Sequence, residues 1–130
     1  MIGLDTNIIV RYLTQDDKKQ SIKANKLIEQ QLSSSTPGFI TLIGLVEVAW
    51  VLEACYEQPK ETIAGALHAL LTTKQFLVEG ADVAYLALKR YAAGNADFSD
   101  ALIAVISEHQ GCSSIVTFDK KGKSVGMDVL

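Results

Sequence analysis

The sequence predicts an α/β protein in which a central parallel β-sheet is covered on both faces by helices, giving three layers. Short apolar stretches alternate along the chain with longer segments that carry apolar residues at helical spacing. The short stretches are apolar at nearly every position, as expected for parallel strands that are buried on both faces. With 130 residues and no repeat or linker, residues 1–130 are expected to form a single domain.

The first third of the chain is expected to contain two strands and two helices. Residues 1–4 predict a buried strand and residues 6–13 a helix. A second, amphipathic helix begins near Asp16 and ends before the Ser-, Pro- and Gly-rich residues 33–38. Its inward-facing side chains are expected to be Ile22, Leu27, Ile28 and Leu32. Residues 39–40 predict the second strand.

The remaining segments continue the alternation of helix and strand. Thr41 is the expected N-cap of a helix that runs to residue 56. The sequence then predicts helices over residues 58–71, 80–91 and 99–110, a loop over residues 92–98, and strands over residues 76–78, 114–117 and 127–130.

Composition and charge exclude several classes of protein. Apolar residues make up 48% of the chain, but no apolar run reaches the roughly 18 residues that a membrane span needs. The N-terminus lacks the pattern of a signal peptide, so a cytoplasmic location is expected, with Cys55 and Cys112 as reduced thiols. The net charge of −3 argues against non-specific DNA binding, but it allows a nuclease whose acidic pocket binds metal ions.

Two acids directly follow predicted strands. Asp5 comes after the first strand and Asp119 after the fourth. In open α/β sheets the ligand crevice lies beyond the carboxyl ends of the strands, which favours a functional role. The alternatives are structural: Asp5 could cap the following helix, and Asp119 could be a surface turn residue.

Glu47 is the only charge in the apolar stretch of residues 42–52. A helix that is apolar all round is typical of a buried helix. An unpaired buried carboxylate is costly, so Glu47 is expected to have a cationic partner. No Lys or Arg lies within one turn of it, which leaves a metal ion or a distant base.

Asp97 and Asp100 flank the start of another strongly apolar helix. Acids in a first turn are stabilised by the helix dipole, so both could be caps. Alternatively, one of them caps while the other points into the crevice.

The acids are more informative as a group. If they converge, two carboxylates about 4 Å apart repel by on the order of 4 kcal/mol at an effective dielectric constant near 20. A divalent cation removes that repulsion, and oxygen ligands without Cys or His suit Mg²⁺ or Mn²⁺. Three lysines follow Asp119 and are either a solvated loop or an RNA phosphate contact: Lys120, Lys121 and Lys123.

These motifs resemble the PIN domain, and more narrowly the VapC-type toxins of toxin–antitoxin pairs. The resemblance rests on IGLDTN at residues 2–7, Glu47 in an apolar helix, DFSDALI at residues 97–103, and TFD at residues 117–119. The segments occur in the family's order and span nearly the whole chain.

The resemblance implies a Mg²⁺- or Mn²⁺-dependent endoribonuclease that forms a homodimer and pairs with an antitoxin. By position, Asp5, Glu47 and Asp100 match the family's three main acids, and Asp119 matches its more variable fourth acid. The supporting polar residues would be Thr6, Asn7 and Thr117. Asp97 would be an extra metal ligand or a cap. A metal-activated water would attack the phosphate and leave 5′-phosphate and 3′-hydroxyl ends.

Two other functions compete with this interpretation. A phosphoryl-accepting receiver domain is also α/β and acidic, but it needs paired acids after the first strand, where this chain has Asp5-Thr6-Asn7. A PIN-like binding module that does not cleave RNA would retain the fold. Metal-dependent RNA cleavage distinguishes the nuclease from the binding module.

Overall fold

The computed structural model describes residues 1–130 and contains all the helices and strands that the sequence predicts. The helices are α1 (Thr6–Thr14), α2 (Lys18–Lys26), α3 (Leu42–Ala54), α4 (Lys60–Thr72), α5 (Ala81–Ala93) and α6 (Phe98–His109). The strands are β1 (Ile2–Gly3), β2 (Gly38–Ile40), β3 (Phe76–Val78), β4 (Val116–Thr117) and β5 (Asp128–Val129). A π-helical turn, Leu27–Gln31, extends α2, and a 3₁₀ segment, Lys120–Val125, connects β4 to β5.

The contacts divide the chain into two compact units, Met1–Glu79 and Gly80–Leu130. The first unit contains two parallel strand pairs and the second unit one, which confirms the predicted mixed α/β class and the parallel sheet. The assignment of the whole chain to one domain stays a prediction. None of the helices combines the length and the hydropathy that crossing a membrane requires.

The sheet of the first unit has the order β1-β2-β3. The central strand β2 pairs in parallel with both neighbours, so that Gly38 lies opposite Ile2 on one side and Phe76 on the other. A Cβ atom at Gly38 would lie 2.6 Å from Leu4 Cδ1 and 2.7 Å from Leu32 Cδ1, so a side chain there would displace these two leucines. Helix α1 packs against α2 and α3, and α4 packs against α3 and β3.

Two expectations about buried residues in this unit are wrong. The strands β1 and β3 are not buried throughout, since Ile2 and Leu77 are 38% and 48% exposed. Within this sheet each of these strands has a neighbour on one side only. Ile22 is 58% exposed. The inward positions of α2 belong instead to Ser21 and Ala24, which are small enough for α2 to lie close to α1.

The second unit is built on the α5–α6 pair. Each of the two helices buries two alanines, whose small side chains allow close packing: Ala84, Ala87, Ala101 and Ala104. Tyr91 and Phe98 meet edge-to-face, with ring centroids 5.9 Å apart. Strand β4 pairs in parallel with β5, and the 3₁₀ segment packs against both helices. This arrangement brings the end of β4 and the start of α6 into the same unit.

Candidate active site

Asp5 lies at the N-terminal end of α1 with its side chain exposed. Its backbone is extended, and its carbonyl oxygen accepts hydrogen bonds from the N–H groups of Ile8 and Ile9. Its carboxylate accepts none from the helix. Asp5 therefore occupies the N-cap position without using its side chain as a cap, and the carboxylate remains available for another ligand.

Thr6 connects the start of α1 to Glu47 on α3. The hydroxyl of Thr6 donates a hydrogen bond of 3.1 Å to Glu47 Oε1, across 41 residues of sequence. Thr6 is buried, with 8% of its surface exposed, so its orientation is well constrained. Asn7 is exposed on the same helix. Of the two predicted supporting residues in this segment, Thr6 is the one that the structure places against a predicted site acid.

Glu47 is exposed, so the expectation that its carboxylate is buried is wrong. Helix α3 buries one stripe and leaves an apolar face open, where Ile43 and Trp50 are 74% and 63% exposed. Glu47 lies between these two residues on the helix, at the spacing of one face. The hydropathy pattern could not distinguish this face from the core, because both are apolar. Burial therefore does not require Glu47 to have a cation.

Asp97 and Asp100 lie at the start of α6, and their side chains differ in environment. Asp97 is exposed at the N-cap position, where its side chain makes no capping hydrogen bond. Asp100 is half-buried in the first turn. Burial raises the pKa of Asp100, and the negative charges of Asp97 and Asp119 raise it further. A hydrogen bond with the backbone of Asp97 opposes this rise in pKa only in part.

Asp119 combines a turn role with an effect on Asp100. Its Oδ1 accepts a hydrogen bond of 2.9 Å from Lys121 N–H, at the start of the 3₁₀ segment. Its own N–H donates to Thr117 Oγ1 at 3.1 Å, so Thr117 holds the backbone at this point. The side chains of Lys120, Lys121 and Lys123 are exposed on this segment. One oxygen of Asp119 therefore has the structural role of a turn residue. The charge of the same side chain also raises the pKa of Asp100.

The predicted acids have suitable chemistry for a divalent cation. All are carboxylates, the ligand type that Mg²⁺ and Mn²⁺ prefer. Asp100, Asp97 and Asp119 also interact unfavourably as like charges, which a cation would relieve. However, no group of three or more His, Cys, Asp or Glu residues is positioned to hold a metal ion. The donor types thus fit such an ion, and the set of metal ligands stays a prediction.

Glu79 has a structural role that the sequence analysis did not assign. It follows β3 directly, and its carboxylate accepts a hydrogen bond of 2.9 Å from Leu42 N–H at the start of α3. The Thr41 side chain accepts a second one from Gly44 N–H at 2.9 Å, which confirms Thr41 as the N-cap. Asp5 and Asp119 were selected as candidates because each follows a strand. Glu79 also follows a strand, but its carboxylate caps a helix.

Comparison with known proteins places these motifs in a family. The chain is 24% identical over 124 residues to a VapC ribonuclease from Aquifex aeolicus (strain VF5), covering 95% of this chain and 90% of that protein. The PIN domain family model matches residues 2–126. Both comparisons extend over the two compact units and all of the predicted site acids. The chain belongs to the PIN domain family.

Proposed function

We propose that this protein is a Mg²⁺- or Mn²⁺-dependent endoribonuclease, the toxin of a toxin–antitoxin pair, and that it hydrolyses RNA phosphodiester bonds. The observation that carries the proposal is the environment of Asp100, whose pKa is raised by burial and by two neighbouring acids. An acid held in an unfavourable environment beside like charges is characteristic of a functional site. Membership of the PIN domain family and similarity to a VapC ribonuclease support the reaction class.

Some of the site residues would bind metal ions, and others would orient the ligands or the attacking water. We assign Asp5 and Asp100 as the main metal ligands, with Glu47 and Asp119 binding a second ion or orienting water. Thr6 would orient Glu47 through its hydrogen bond, and Thr117 would hold the backbone of Asp119. A bound divalent cation supplies activation of the attacking water and charge stabilisation at the phosphate.

The products and contacts follow from water as the nucleophile. Because water attacks the phosphate, the RNA 2′-hydroxyl is not required and the products should be 5′-phosphate and 3′-hydroxyl ends. Lys120, Lys121 and Lys123 are candidate phosphate contacts, since their side chains are exposed on the segment that follows Asp119. Asp97 occupies the N-cap position without a side-chain capping hydrogen bond, so we assign its carboxylate as an additional ligand.

Removal of metal should abolish cleavage. Purified, partner-free protein is incubated with total RNA in Mn²⁺, in Mg²⁺ and in excess EDTA, and the products are followed by gel electrophoresis and end-labelling. We expect cleavage with either metal and none in EDTA, with activity restored by added Mn²⁺. Undiminished cleavage in EDTA would exclude the metal mechanism. Metal-independent RNA binding without cleavage would favour the alternative, a PIN-like binding module.

Two protein partners belong to the same proposal: a cognate antitoxin and a second copy of the chain. Without a cation, the neighbouring negative charges of Asp97, Asp100 and Asp119 would attract an Arg or Lys of an antitoxin. The exposed apolar side chains of Ile43 and Trp50 lie on one face of α3, on either side of Glu47, and support self-association. A cytoplasmic location for this system stays a prediction.

The two partners can be tested with one preparation. Light scattering of the protein alone should give twice the mass of a single chain. The complex with the antitoxin should cleave less RNA and bind less Mn²⁺ than the free protein, because a basic side chain replaces the ion. A complex that keeps full activity and metal content would contradict the blocking mechanism.

A further inference from the structure

We propose that Arg90 is a positioning residue, which orients Asp119 by holding the 3₁₀ segment Lys120–Val125 against α5 and α6. The inference rests on the proposed function, in which Asp119 belongs to the active site. Arg90 lies in the last turn of α5 and contacts none of the predicted site acids in the hydrogen bonds that it makes. Its proposed action therefore passes through the segment.

Arg90 joins three elements of the second unit. Its Nη2 donates to Glu108 Oε1 at 2.9 Å, and its Nη1 donates to Glu108 Oε2. These two bonds form a bidentate ion pair between α5 and α6. The same Nη1 also donates to the carbonyl oxygen of Val125 at 3.1 Å. The planar guanidinium can satisfy both partners at once, whereas an ammonium group lacks this fixed geometry. The C-terminal end of the 3₁₀ segment is thereby tied to both helices.

A second contact links Ser124, next to the end of the segment, to the residues that directly follow α5. The Asn95 N–H donates to Ser124 Oγ at 3.0 Å, and this hydroxyl donates to the Lys121 carbonyl at 2.8 Å. The approach is close, since a Cβ atom at Gly94 would lie 2.5 Å from Ser124 Oγ. Helix α5 and the residues that follow it therefore constrain the segment at two successive points, Val125 through Arg90 and Ser124 through Asn95.

The other end of the segment carries Asp119. Its carboxylate accepts from Lys121 N–H, and its carbonyl accepts from Gly122 N–H at 3.0 Å. The orientation of the Asp119 side chain thus depends on where Lys121 and Gly122 lie. Because the 3₁₀ segment has only six residues, release of Val125 should also loosen these hydrogen bonds.

The test compares Arg90→Met with a matched variant, Arg11→Met. Arg11 also forms an ion pair, with Asp16 at 3.4 Å, and its side chain is 30% exposed compared with 28% for Arg90. It lies in the other compact unit, so each substitution removes a partly exposed Arg ion pair, but at a different place in the chain. Both are combined with Asp119→Asn, which retains an oxygen to accept from Lys121 N–H. The kcat and KM for RNA cleavage in Mn²⁺ and amide hydrogen exchange in EDTA are measured.

We expect Arg90→Met to lower kcat by about 10- to 100-fold, the usual range for groups that orient metal ligands, with little change in KM. Amide exchange should accelerate in residues 120–127 and not in α1 or α3. In the Asp119→Asn background, Arg90→Met should cause no further loss of activity, because both changes act on the same carboxylate. Arg90→Lys should give an intermediate kcat. Arg11→Met should resemble wild type.

Different outcomes contradict the two proposals. If wild type does not cleave RNA, the proposed function fails. If wild type cleaves and Arg90→Met has unchanged kcat, or the loss adds fully to that of Asp119→Asn, the positioning role is wrong. Unchanged exchange in residues 120–127 contradicts it as well, and this measurement does not depend on activity. If Arg90→Met is too unstable to assay, Arg90→Lys is combined with Asp119→Asn instead. The kcat values of these variants then show whether the two losses add.

Discussion

Asp100→Asn is expected to reduce RNA cleavage by more than about 100-fold, since loss of an outer-shell group already costs about 10- to 100-fold. The amide is nearly isosteric with the carboxylate but is a poor ligand for Mg²⁺ or Mn²⁺ and carries no charge. In the absence of metal, the same variant should melt at a higher temperature than wild type at neutral pH. The substitution removes a half-buried charge that Asp97 and Asp119 repel.

The stability difference should depend on pH in a defined direction. The pKa of Asp100 is raised in the folded protein, so folding disfavours its ionised form. Its contribution to stability is present below the unfolded pKa of about 3.9, where the group is protonated in both states. That contribution is lost as pH rises through the folded pKa. Melting curves in EDTA should therefore show the variant's advantage shrinking as the pH falls toward 4.

Asp97→Asn is the matched control for this experiment. Asp97 lies three residues before Asp100 and is exposed, and its side chain makes no capping hydrogen bond. We expect its removal to reduce cleavage much less than Asp100→Asn, because Asp100 is the acid that matches the family motif. The assignment would be wrong if Asp97→Asn abolished cleavage and Asp100→Asn left it intact.

Glu47→Gln is expected to lower cleavage by at least about tenfold with little change in melting temperature. If Glu47 acts as a ligand or orients water, loss of its charge should cost at least as much as loss of an outer-shell group. The fold should tolerate the change, because Glu47 is exposed and a Gln oxygen can still accept from the Thr6 hydroxyl. Cleavage rates in Mn²⁺ and melting curves in EDTA measure the two effects separately.

Substitutions at Glu53 and Thr6 show whether the loss of cleavage is specific to the Glu47 carboxylate. Glu53→Gln removes another exposed carboxylate from α3 and should cleave RNA at the wild-type rate. Thr6→Val removes the hydroxyl that holds Glu47 and should lower cleavage, whereas Thr6→Ser should retain most of it. Full activity in Glu47→Gln would exclude Glu47 from the active site.

The secondary structure could be predicted because local signals agree with the final fold. The Ser-, Pro- and Gly-rich residues 33–38 end one helical segment, and Thr41 caps the next through Gly44 N–H. The predictions failed where the same local pattern is compatible with either a buried or an exposed helix face. In α3, Ile43 and Trp50 resemble core residues in hydropathy but are exposed, so the predicted burial of Glu47 was wrong.

The sequence by itself determined the order of strands and helices and the positions of the acids along the chain. It did so because hydropathy period, helix caps and strand ends are local properties. Only the tertiary structure decided which charged side chains form hydrogen bonds with distant parts of the backbone. Glu79 caps α3 from a position 37 residues away, and Arg90 reaches Val125 across 35 residues. Contacts at such separations depend on how the elements pack, and no local spacing in the sequence records them.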